Sequence, residues 1–119
     1  TTLAKGLGRG LECEVSITSP TFTIMNIYQG RLTMYHCDFY RLSGDDTEQL
    51  GIKEIIGLQG LFVVEWAGMV TPNILPDGIN IELSLAGDDY DGPRQVSFTA
   101  QSVRGKELLK ELESCQYWR

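Results

Sequence analysis

The segment Leu61-Phe62-Val63-Val64, closed by Glu65, constrains this chain more than any other stretch. Four apolar residues without alternation describe a strand buried on both faces, and such a strand needs a sheet covered by helices. The neighbouring segments supply the rest of that sheet. Phe22–Tyr28 is rich in β-branched and aromatic residues, Gln29-Gly30-Arg31 turns the chain, and Leu32–Phe39 returns, so the two read as a hairpin. In the returning strand Leu32, Met34, His36 and Asp38 share one face, and Thr33, Tyr35, Cys37 and Phe39 the other. Ile79–Leu85 and Gln95–Ala100 alternate apolar and polar residues on either side of the acidic turn Gly87-Asp88-Asp89-Tyr90-Asp91-Gly92. They predict two further strands.

Three segments carry helical spacing. Leu3, Ala4, Leu7 and Leu11 recur on one face of the first, which has no capping residue ahead of it. Gly6, Gly8 and Gly10 weaken that helix by roughly 1 kcal/mol each, so it needs close packing on a sheet. Thr47–Ile56, with Leu50 and Ile55 inward, is the second, broken by Gly57 and Gly60. Val103–Leu112 is the third, with Val103, Leu108, Leu109 and Leu112 on its buried side. Pro72 and Pro76 mark a loop. The resulting order is α, β, β, α, β, β, β, α: an α/β fold of mixed strand directions. Residues 1–119 suffice for one domain and one core.

Charge and composition narrow the function. Ten basic against sixteen acidic residues give a net charge of −6, which argues against a chain that grips nucleic acid alone, since phosphate neutralisation needs clustered Lys and Arg. No apolar run is long enough to span a membrane. Cys13, Cys37 and Cys115 are far apart and odd in number, with no C-x-x-C pair, so free thiols in a reducing cytosol are expected rather than zinc or disulfides. His36 is the sole histidine, which makes histidine-based hydrolase chemistry a poor fit.

Two acidic residues end apolar strands: Asp38 after Met34-Tyr35-His36-Cys37, and Glu65 after Leu61–Val64. Ligands of α/β folds gather at the carboxyl edge of the sheet, and magnesium takes hard oxygen ligands, commonly one or two carboxylates with phosphate oxygens. The pair therefore suggests a metal–nucleotide site, with solvated loop acids as the alternative. Ser19-Pro20-Thr21-Phe22-Thr23 offers hydroxyls around a fixed proline, for phosphate contact or as a plain turn into a strand. Trp66 either stacks on a base or fills the core. Arg41 pairs with Asp38, with a phosphate, or with a surface acid.

These pieces in this order resemble the TsaE family (formerly YjeE), a P-loop ATPase family of bacterial tRNA threonylcarbamoyladenosine synthesis. The resemblance rests on Thr1-Thr2-Leu3-Ala4-Lys5-Gly6, Ser19-Pro20-Thr21-Phe22-Thr23, and Tyr35-His36-Cys37-Asp38-Phe39-Tyr40-Arg41-Leu42. It continues through Leu50-Gly51-Ile52, Val63-Val64-Glu65-Trp66-Ala67 and Leu75-Pro76-Asp77. It implies a P-loop NTPase-like mixed sheet flanked by helices. In the family a loop G-x-x-x-x-G-K-T comes directly before the first matching residues, so the first strand and phosphate-binding loop are expected to lie outside these 119 residues. Thr1 would then be the hydroxyl residue of that loop and a magnesium ligand, with Thr2 beside the phosphates. Asp38 and Glu65 would be the catalytic acids and metal residues, Glu65 in direct or water-mediated contact. Thr21, Thr23, Trp66 and Arg94 would border the nucleotide, with a solvent-exposed arginine as the alternative at Arg94. Cys37, where the family often has an aromatic residue, and Gly68, where a polar one is common, depart from the pattern.

By the same resemblance the intact protein is a cytoplasmic, magnesium-dependent ATPase whose turnover drives the TsaB and TsaD proteins. It would meet tRNA only through that complex, with no membrane contact. The competing expectation is a non-catalytic interaction module that docks on a partner without hydrolysing ATP. The coding sequence upstream of Thr1 separates the two.

Overall fold

The computed structural model describes residues 2–20, 24–40, 51–56, 59–67 and 78–115. The expectations placed on Thr1, Thr21, Thr23, Arg41, residues 47–50 and the loop around Pro72 and Pro76 lie outside them. By its contacts the chain divides into two compact units, Thr1–Ile74 and Leu75–Arg119.

In the first unit β1 (Met25–Tyr28) and β2 (Met34–Asp38) form the expected antiparallel hairpin, with Met25 opposite Cys37 and Tyr28 opposite Met34. β3 (Leu61–Glu65) lies parallel to β2, pairing Met34 with Leu61 and Asp38 with Glu65. Parallel neighbours cannot be joined by a tight turn, and the connection between them carries a short helix, α2 (Ile52–Ile56). The sheet order is β1-β2-β3, and mixed strand directions are therefore present. β3 was expected to be buried on both faces, yet all five of its residues are half-buried. Among the described residues it pairs on one side only, so the most buried strand is the central one, β2, in which Met34, Tyr35, His36 and Cys37 are all buried.

One face of this sheet is covered by α1 (Thr2–Gly10) and the segment after it. Ala4, Ile17, Tyr28 and Met34 form the core there, joined by Leu11, Cys13 and Val63. The close packing expected of this glycine-rich helix is made at one of its three glycines. Only Gly8 packs tightly: a Cβ at that position would run into the Ile17 side chain, whereas one at Gly6 or Gly10 would meet nothing. Leu3, expected on the buried face, is 43% exposed; the inward stripe is Ala4, Leu7, Gly8 and Leu11.

The helix ends in a Schellman motif. The Cys13 N–H bonds to the Gly8 carbonyl and the Glu12 N–H to the Arg9 carbonyl, with Glu12 left-handed at φ +56°. The loop of the hairpin then grips this end: the Arg31 N–H donates to the Leu11 carbonyl at 2.7 Å and the Arg31 guanidinium to the Gly10 carbonyl at 2.6 Å. The buried Tyr28 hydroxyl is satisfied by the Thr18 N–H at 3.1 Å and the Asn26 amide at 3.3 Å, as a buried polar group must be.

The second unit is a two-stranded antiparallel sheet, β4 (Asn80–Leu85) and β5 (Arg94–Thr99), with α3 (Val103–Glu113) following. Ser102 caps α3, its hydroxyl accepting from the Gly105 N–H at 2.9 Å. Val103 was expected on the buried side and is 76% exposed. As the first residue after the cap it sits half a turn away from the contact face, and the buried position is Gly105.

Candidate functional site

Alternation along β2 and β3, together with their parallel register, puts His36, Asp38, Val63 and Glu65 on one face. It is the face that carries Tyr28 and Met34, under α1. At the carboxyl ends of the two strands Asp38 and Glu65 stand opposite each other as a register pair. The two acids singled out from the sequence are thus brought side by side.

Their backbones are tied together. The Phe39 N–H donates to the Glu65 carbonyl at 3.0 Å, continuing the ladder, and the Asp38 N–H donates to the Ile24 carbonyl at 2.9 Å. The Asp38 carboxylate accepts from the Tyr40 N–H at 3.0 Å, which folds the chain into an Asx turn as it leaves the sheet. Glu65 accepts from His36: Nε2 lies 3.1 Å from Oε1. Burial opposes the charged form of the Glu65 carboxyl, and the His36 hydrogen bond favours it.

Sequence reasoning left His36 open, and the structure gives it a definite place. It is entirely buried in the centre of β2, between Asn26 and Val63 in register. A carboxylate only accepts hydrogen bonds, so the tautomer that serves Glu65 carries its proton on Nε2. No partner among the described residues reaches Nδ1. The signal in the sequence was parity: His36 precedes Asp38 by two residues and shares its face. What the sequence lacked was the strand pairing that puts Glu65 on that face as well.

Trp66, next after Glu65, does not fill the core. The residue is 59% exposed, and its ring centroid lies 4.9 Å from that of Tyr40, itself 57% exposed. The two form an exposed aromatic pair where β2 and β3 end. Trp66 adopts φ +58° and Ile24, whose carbonyl holds Asp38, adopts φ +64°. Left-handed backbone is uncommon for any residue but glycine, and for a β-branched one it is a true outlier; such strain gathers at functional sites. Both outliers flank the carboxylate pair.

Thr2 is exposed in the first turn of α1. Arg94 belongs to the second unit and is committed to its own hairpin. Its guanidinium donates to the Gly92 and Tyr90 carbonyls at 2.6 and 2.7 Å and lies 5.4 Å from the Tyr90 ring centroid. Thr1, Thr21 and Thr23 lie outside the described residues.

Among the described residues no three His, Cys, Asp or Glu side chains gather into a metal-holding group; Asp38 and Glu65 are the acids that the register brings together. Two carboxylates suit a hard cation that completes its shell with water and phosphate oxygens, as magnesium does. Cys13, Cys37 and Cys115 are free thiols, and burial pushes the Cys37 thiol up to about 11, which leaves it protonated and unsuited to soft-metal binding.

A mixed α/β fold with paired acids at the carboxyl ends of adjacent parallel strands places the chain among the α/β proteins whose sites form at the sheet edge. The comparisons with known proteins go further. The family model described as "Threonylcarbamoyl adenosine biosynthesis protein TsaE" matches residues 1–96, and the chain belongs to the TsaE family. It is 39% identical over 113 residues to the tRNA threonylcarbamoyladenosine biosynthesis protein TsaE of Bacillus subtilis, covering 94% of this chain and 69% of that one. The TsaE protein of Treponema pallidum is 38% identical over 98 residues, covering 82% and 70%. The crystal structure of Bacillus subtilis YdiB superposes with a TM-score of 0.66 at 34% identity, over 95% of this chain and 68% of that one. No helix among the described residues is long and apolar enough to cross a membrane.

Proposed function

We propose that the chain serves tRNA threonylcarbamoyladenosine synthesis as a magnesium-dependent ATP-binding and ATP-hydrolysing component, whose turnover drives TsaB and TsaD. The single observation that carries the reading is the register pairing of Asp38 with Glu65 on adjacent parallel strands, in a family whose relatives are named for that biosynthesis. Asp38 and Glu65 would hold the metal, with Thr1 as a third oxygen donor. Bound there, magnesium supplies positive charge to the phosphate oxygens. The chain's own residues orient: the Asx turn fixes Asp38, the His36 hydrogen bond fixes Glu65, and Trp66 with Tyr40 offers an aromatic wall beside them. Thr2, Thr21 and Thr23 are proposed as further nucleotide contacts.

Phosphate release from ATP, measured on the full chain with and without magnesium and with purified TsaB and TsaD, tests the proposal. Metal-dependent release, faster with the partners and reduced to background in Glu65→Ala, is the expected result. Full activity in Glu65→Ala overturns the metal assignment. Absence of nucleotide binding under every condition overturns the ATPase reading.

A further inference from the structure

Burying an imidazole whole is unfavourable unless its polar atoms find partners. His36 is 0% exposed in the central strand, and one of its two nitrogens reaches no partner among the described residues. Packing alone would be served better by an aliphatic residue, as at Val63 beside it. The bond the ring does make, Nε2 to Glu65 Oε1 at 3.1 Å, crosses from β2 to β3 and ends on the half-buried carboxylate. A glutamate has three side-chain torsions, and its freedom must be surrendered when the carboxylate engages a cation. A histidine locked by packing has almost none left to lose.

We infer that His36 is a positioning residue for Glu65, its Nε2–H fixing Oε1 so that the carboxylate is oriented before a metal ion arrives. The inference deepens the magnesium reading of Glu65 and rests on it. Outer-shell hydrogen bonds of this kind are worth roughly 10- to 100-fold in metal affinity when removed.

His36 is the sole histidine of residues 1–119, and the imidazole 15N resonances that vanish in His36→Gln are those of this ring. The expected spectrum is that of the Nε2–H tautomer, with a resonance that moves in Glu65→Gln; an Nδ1–H tautomer, or indifference to that substitution, overturns the inference. The second measurement is Mn2+ titration in the presence of ADP, followed by electron paramagnetic resonance. His36→Phe fills the volume without a donor and should weaken Mn2+ binding by roughly 10- to 100-fold, whereas His36→Gln, which restores an N–H, should recover most of the loss. Glu65→Gln separates the two levels. Weakened binding there with unchanged binding in His36→Phe overturns the positioning role alone, and unchanged binding in both overturns the metal reading beneath it. Should His36→Phe fail to fold, the tautomer of the unaltered protein decides.

Discussion

At Trp66 a large side chain occupies a backbone conformation that suits glycine, φ +58°, at a cost of order 1 kcal/mol. Trp66→Ala and Trp66→Gly both remove the exposed ring, so their difference isolates the backbone. Trp66→Gly should be the more stable of the two by about 1 kcal/mol in urea unfolding, and equal midpoints would contradict a left-handed Trp66. Cys37 makes a second residue-scale case. Its folded pKa lies above its unfolded value, so the stability linked to its neutral thiol is complete below the unfolded pKa and declines as pH rises towards about 11. Between the ordinary value of 9.0 and about 11, at about 1.4 kcal/mol per pH unit, the loss is on the order of 3 kcal/mol. Thermal melts across that range should lose their steepest decline in Cys37→Ala.

Among the elements, α1 separates two uses of glycine that look alike in the sequence. Gly8→Ala drives a methyl group into Ile17 and should destabilise by about 1–3 kcal/mol. Gly6→Ala enters open space and should stabilise by about 0.5–1 kcal/mol. Denaturant midpoints moving in the same direction for both would sink the packing described for this helix. Its glycine count was plain in the sequence; which glycine touched Ile17 was not, because Ile17 arrives through a segment with no periodicity of its own. The same limit governed β3. Its apolar run correctly marked a strand, but burial depends on the number of neighbours, and Leu61–Glu65 has one among the described residues. The hairpin was more legible because alternation and a short turn are both local signals.

For the molecule as a whole, Asp38 and Glu65 could be proposed as strand-end acids, yet their adjacency depends on a parallel pairing of segments 27 residues apart along the chain. Nothing local encodes that pairing, and His36 stayed unassigned for the same reason. Protection should follow this architecture. Amide hydrogen exchange is expected to be slowest in β2, buried and paired on both sides, and faster in β4, where five of six residues are exposed. Equal protection in the two strands would contradict the described burial. The grip of the hairpin loop on the end of α1 has a mechanical side. A nine-residue helix is about 13 Å long, and hydrogen bonds from Arg31 hold it at Gly10 and Leu11. It is a lever with its fulcrum at one end and Thr2 at the other. A tilt of ~5° at the fulcrum sweeps the far end through ~1 Å, enough to spoil an aligned reaction. On the proposed reading, in which Thr2 contacts the nucleotide, loosening the Arg31 grip would register first as lost aim rather than as unfolding.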